Sequence, residues 1–151
     1  MSNLRILEGG RAKFAYECAQ AGNKIKKSGA YKSYVKKLPM LIKTNGIGAA
    51  FAFVLSKSDK EAKDKKGYAY YLLYQQTQIW LKENRSYLVE IEQDGKKIGL
   101  DPDNGKDLIW MLVRMHSHEY RAVTVEVLAF LNWLRRFAEG LIEADEDESG
   151  E

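Results

Sequence analysis

Several things are scarce in this 151-residue chain, and each absence removes a class of function. There is one cysteine, Cys18, so no internal disulfide can form, and a reducing, cytoplasmic compartment is expected. No stretch approaches the roughly 20 apolar residues that a membrane span needs. The opening MSNLRILEGGRAKF lacks the apolar region and small-residue cleavage site of a secretory signal. The only histidines, His116 and His118, are two apart and point to different sides of a helix. Zinc-type ligand spacing is absent, so no metal is expected. There is no Gly-rich phosphate loop and no G-x-S-x-G elbow. Glu119 and Glu126 are carboxylates that no pattern pairs with a nucleophile or with a second acid. The residues thus predict no catalytic group and no cofactor.

A further scarcity is local. From Lys24 to Lys57 there is no Asp or Glu. Residues 1–60 hold 12 Lys/Arg against 3 Asp/Glu, whereas residues 143–151, EADEDESGE, hold 6 acids and no base. The net charge of +3 therefore conceals a basic opening and an acidic end. A concentrated basic surface is the footprint of a polyanionic partner, although solvated lysines also serve solubility alone.

What is present is helical periodicity. Apolar positions at three- and four-residue spacing predict a first helix over 4–21, weakened by Gly9 and Gly10. YKSYVKKLPMLIKTNG predicts a second from Tyr31 to Thr44, which Pro39 either kinks or splits. IGAAFAFVLSKS reads as a buried central helix. YAYYLLYQQTQIWLKEN reads as a fourth, with Tyr70, Leu73, Tyr74, Thr77 and Leu81 on one face. Its tyrosines could stack bases, but at this spacing they fit core and rim better. Val89, Ile91, Asp94-Gly95 and Ile98 suggest a small hairpin or loop insertion near 87–100. KDLIWMLVRM predicts a fifth helix, and a sixth runs from Tyr120 to Ile142. The expected fold is all-α, a compact bundle of about six helices. Residues 1–142 form one helical domain, and 143–151 a disordered acidic tail.

Two helical faces stand out. On the second helix Lys32, Lys36 and Lys43 fall within roughly 40° of each other and span about 16 Å. Lys24, Lys26 and Lys27 lie just upstream. Such a row of ammonium groups suits a phosphate backbone, which it follows without reading bases. On the last helix, Val123, Val127, Phe130, Leu134, Phe137 and Leu141 make a core face. Arg121, Asn132, Arg135, Arg136 and Glu139 gather opposite, together with Val125 and Leu128. Apolar side chains among arginines are either covered by another part of the chain or form a protein interface. Arg11, beside Leu7, Phe14 and Ala15, is expected to be structural. Cys18 is expected to be a small core residue.

Three blocks carry a family resemblance: LEGGRAKFAYE, YKSYVKKLPMLIKTNGIGAAFAFVLSK and EYRAVTVEVLAFLNWLRRFAEG. In this order they resemble the small subunit of the type III-B CRISPR effector complex, the Cmr complex. Residues 58–118 and the tail carry no matching block. The resemblance implies a non-catalytic, all-helical protein. Its copies would stack head to tail beside a filament of backbone subunits and help hold the guide RNA paired with target RNA. Lys24, Lys26, Lys27, Lys32, Lys36, Lys43, Arg135 and Arg136 are then the expected RNA contacts. Arg121, Val125 and Leu128 are the expected protein interface. Two alternatives stay open: a protein-only adaptor whose basic face binds an acidic subunit, and a small nuclease or transferase acting alone.

Overall fold

The structure is a computed structural model that describes residues 7–145. Leu4, the first residue of the expected opening helix, and residues 146–151 of the acidic tail lie outside the described residues. Six helices make up most of the chain: α1 (Arg11–Asn23), α2 (Ser28–Asn45), α3 (Ile47–Lys57), α4 (Lys66–Asn84), α5 (Leu108–Leu112) and α6 (Ser117–Leu141). A two-stranded antiparallel sheet, β1 (Glu90–Gln93) and β2 (Lys96–Gly99), sits between α4 and α5.

The first helix starts later than its periodicity suggests. Glu8, Gly9 and Gly10 all have positive φ, and Leu7–Gly10 is a tight 3-10 turn. Left-handed backbone costs glycine little and ends helical propagation. Leu7, expected on the core face, is consequently 59% exposed. Pro39, in contrast, does not split α2, which is one helix through it. α5 is shorter than expected. Asp107 caps it, its carboxylate accepting from the Trp110 N–H at 3.1 Å and from the Tyr74 hydroxyl at 2.6 Å. The chain turns away after Leu112. Asp107→Ala removes both bonds and is expected to cost about 1–2 kcal/mol, read from the midpoint of a urea titration.

The hairpin is present, with Asp94 and Gly95 both at positive φ, the signature of a tight two-residue turn. Ile91 faces Ile98 across the ladder, and Ile91, Val89 and Leu100 are buried. A hairpin this short is marginal alone, and this apolar anchorage to the bundle holds it.

α6 runs against α1 and α2 and is the spine of the core. Val123, Val127, Phe130, Leu131, Leu134 and Ala138 are buried on it. Phe137 and Leu141, expected in the core, are half-buried at its edge. The helix starts at Ser117, earlier than expected. His116 and Glu119 form a reciprocal capping box there, and the His116 N–H donates to the Glu119 carboxylate at 2.9 Å. Near this end the Tyr120 hydroxyl accepts from the Gly48 N–H at 2.7 Å, satisfying a donor at the start of α3.

One ion cluster ties the core together. The Glu126 carboxylate is buried and receives Arg11 in bidentate geometry, Nε to Oε2 and Nη2 to Oε1, both at 2.9 Å. The Trp80 indole N–H donates to Oε2 at 2.9 Å, and Arg85 Nε to Oε1 at 3.3 Å. Trp80 stacks on Phe130, and Arg85 lies over the Trp80 ring. α1, the end of α4 and α6 therefore meet at a single carboxylate.

Candidate nucleic-acid interface

α2 and α6 pack antiparallel, and their seam sorts the expected contact residues. At one end Lys32 reaches the C-terminus of α6. Its ammonium donates to the Ile142 carbonyl at 3.0 Å and stands 3.4 Å from the Asp145 carboxylate. Its side chain is only 12% exposed. One turn along, Lys36 stands 3.4 Å from Glu139. The sequence from Lys24 to Lys57 is free of acid, but the space around it is not. Glu139 on α6 and Asp145 just beyond it bring carboxylates to Lys36 and Lys32, and the expectation of an unmixed row of cations is corrected there.

Lys24 and Lys26 are exposed in the α1–α2 turn, with Lys27 half-buried at the start of α2. By the antiparallel register this turn lies beyond the C-terminal end of α6, where Glu143 and Asp145 also emerge. Lys24, Lys26 and Lys27 therefore share the acidic end of the seam.

The other end differs. Lys43, Pro39, Leu128, Ala129, Asn132 and Arg135 line a cleft of about 290 Å³ between the two helices. Arg135 Nη2 donates to Asn132 Oδ1 at 3.2 Å. Among the described residues no carboxylate pairs with Lys43 or Arg135. Two cations and one amide thus face a cleft whose floor is apolar. Such a site takes a phosphate through charge and an adjoining sugar or ring through contact.

Arg135 and Arg136 are neighbours in sequence but separate in space, since consecutive helical residues point about 100° apart. Arg136 lies 6.0 Å from the Trp133 ring centre, and Trp133 donates its indole N–H to Glu8 at 2.8 Å. That hydrogen bond, then Arg11 and Arg136, hold the Glu8 carboxyl below its ordinary range against a smaller opposing effect of burial. Arg136 therefore belongs to the α1 side, away from the cleft.

The polar side of α6 resolves into a stripe at alternating four- and three-residue steps: Arg121, Val125, Leu128, Asn132 and Arg135. Over about 21 Å it runs from one arginine to the other. Val125 is 68% exposed, so no other element among the described residues covers it. Leu128 is half-buried because it floors the cleft. Of the two apolar residues expected at a protein interface, one is in open solvent and the other is shared with the basic cleft.

Cys18 is buried, and that burial, with a smaller push from Glu17, drives its thiol well above the ordinary range, away from nucleophilic reactivity. Among the described residues no three His, Cys, Asp or Glu side chains gather as a metal site. No helix among them is long and apolar enough to cross a membrane.

The comparisons agree with this architecture. The family model described as CRISPR-associated protein (Cas_Cmr5) matches residues 7–141. The structure is similar to the X-ray crystal structure of a CRISPR-associated Cmr5 family protein from Thermus thermophilus. The TM-score is 0.63 and the identity 26%, over 88% of this chain and 94% of that one. A mostly helical bundle matched by one family model along nearly its whole described length leaves one assignment: the chain belongs to the Cas_Cmr5 family and is a small subunit of the type III-B CRISPR Cmr complex.

Proposed function

We propose that this subunit is a non-catalytic structural element of the Cmr complex that contacts the guide RNA or its target through the α2/α6 seam. It would stack with copies of itself and lie beside the backbone subunits. The observation that carries the reading is the cleft in which Lys43, Asn132 and Arg135 converge with no opposing carboxylate among the described residues. Lys24, Lys26 and Lys27, at the other and acidic end of the seam, are secondary contacts. Lys32 and Lys36 contribute less, because each already faces an acid. Arg136 is held toward Trp133 and is the weakest of the expected contacts. Arg121 and Val125, on the uncovered part of the α6 stripe, are assigned to another protein subunit.

The test is the double substitution Lys43→Glu with Arg135→Glu, assembled into the complex. RNA crosslinking to this subunit should fall for every guide sequence. The slope of log affinity against log salt should drop by about 1.4 for a single strand, at roughly 0.7 for each phosphate no longer neutralised. Unchanged crosslinking and slope would leave the second reading standing, a protein-only adaptor whose basic face meets an acidic subunit.

A further inference from the structure

The chain that leaves α6 does not turn out into solvent. Ile142 is buried and extended, and its carbonyl accepts from the Lys32 ammonium at 3.0 Å. Three residues on, the Asp145 carboxylate stands 3.4 Å from the same ammonium. These contacts pin the exit of α6 against the start of α2. They also aim it at a hollow of about 390 Å³, lined by Gly29, Lys32, Ser33, Lys36, Lys37 and Asp145. Three lysines of one helix face thus line a surface whose one carboxylate belongs to the departing chain.

The sequence continues in kind. Asp145 to Glu148 is a run of four consecutive acids, and residues 146–151 hold four acids and no base. A flexible run of carboxylates is a linear polyanion, as a nucleic-acid strand is. At 3.3–3.6 Å per residue, six residues beyond Asp145 reach about 20 Å. Lys32 and Lys43 are about 16 Å apart along α2. The segment is therefore long enough to follow the lysine face of α2 as far as the Lys43 cleft. It carries no large apolar side chain, so charge alone would hold it. The Asp145 side chain is 91% exposed, and ion pairs this open are individually weak and screened by salt. A strand of phosphates could displace such a segment, whereas a buried ion pair would resist.

We infer that the acidic segment beginning at Glu143 lies along the lysine face of α2 and competes, within one chain, with the RNA that binds there. It would keep stray polyanions off the basic surface and yield to a strand that the assembled complex holds in place. The inference rests on the RNA reading above and adds a competitor to it.

Two measurements on the full chain test it. The first needs no RNA. A carbodiimide joins carboxylates to amines in direct contact, and peptide mapping should find Glu146, Asp147 or Glu148 joined to Lys32, Lys36 or Lys37. In a mixture of isotopically light and heavy protein, the joined peptides should both be light or both be heavy. The second compares wild type with a chain carrying Glu146→Gln, Asp147→Asn, Glu148→Gln and Glu151→Gln. All four substitutions lie beyond the Ile142 anchor, so the melting temperature should hold. The substituted chain should bind polyuridylate and heparin about tenfold more tightly at low salt, the product of several weak pairs. Its salt dependence should be steeper, because RNA then displaces counterions where it had displaced carboxylates. Near 1 M salt the two proteins should converge. Absent crosslinks, crosslinks that pair light with heavy, or equal affinities of the two proteins for both polyanions would each overturn the competitor and leave the RNA reading standing. Crosslinks and a gain for heparin, with polyuridylate bound by neither protein, would sink the RNA reading alone.

Discussion

Glu126→Ala should lower the free energy of unfolding by about 3–5 kcal/mol, the range seen when one member of a buried ion cluster is removed. A domain of this size has about 5–15 kcal/mol in total, so the variant is expected near the edge of folding at physiological temperature. The reason is the number of groups left behind. Arg11 loses a bidentate partner, Trp80 loses the acceptor for its buried N–H, and Arg85 loses its carboxylate while remaining over the Trp80 ring. Alanine accepts none of these bonds, and Trp80 is fully buried against the Phe14 and Phe130 rings. Glu126→Gln should be milder, since its carbonyl oxygen still accepts one bond. Arg85→Ala should be milder again, because Arg11 still neutralises the carboxylate.

The same cluster sets an acid limit. Burial pushes the Glu126 carboxyl up, but hydrogen bonds from Arg11 and Trp80 and the charges of Arg11 and Arg85 outweigh it and hold the group below its ordinary value. A carboxyl with a depressed native pKa stabilises fully above its unfolded value of about 4.3, and that contribution is lost as pH falls through the native value. Denaturant midpoints measured from neutral pH downward should therefore fall in wild type below about pH 4.3. In Glu126→Gln the fall should be shallower. Parallel profiles would mean that other carboxylates set the limit.

Much of this architecture could be read from residue order. The helix count followed from apolar spacing, and the hairpin from Asp94-Gly95 between Ile91 and Ile98. The failures share a physical cause, namely that a wheel describes one helix at a time. Glu126 sits between Val123, Val127 and Phe130 on the buried face, and a lone carboxylate there signals a buried cation. Arg11, 115 residues away, could be recognised as that cation only once α1 was laid against α6. Lys32 and Lys36 looked unopposed because Asp145 and Glu139 arrive from the far end of the chain. Adjacent Arg135 and Arg136 looked like one feature, yet the helix turns them to different neighbours. An apolar groove at Met40 and Phe53 needs three helices to converge and has no signature in any one of them.

Gly22→Ala is the other substitution expected to be severe, although alanine is the better helix former by about 1 kcal/mol. A Cβ on Gly22 would sit 2.7 Å from Tyr31 Cζ and closer still to two other ring carbons. Tyr31 cannot yield. It is fully buried, its hydroxyl donates to Gln76, and Gln76 in turn donates to the Cys18 carbonyl at 3.0 Å. The relief must come from α1 moving off α2, at a net cost of about 1–3 kcal/mol after the propensity gain, and more if the Tyr31 bonds break. A raised melting temperature would show that the ring gives way and that this account is wrong. α1 is also the helix that presents Arg11 to Glu126, about three turns upstream of Gly22. A shift of α1 would loosen that bidentate contact, so Gly22→Ala and Glu126→Ala should cost less together than separately. Strict additivity would confine the damage to the Tyr31 end and show that α1 bends and does not move as one body.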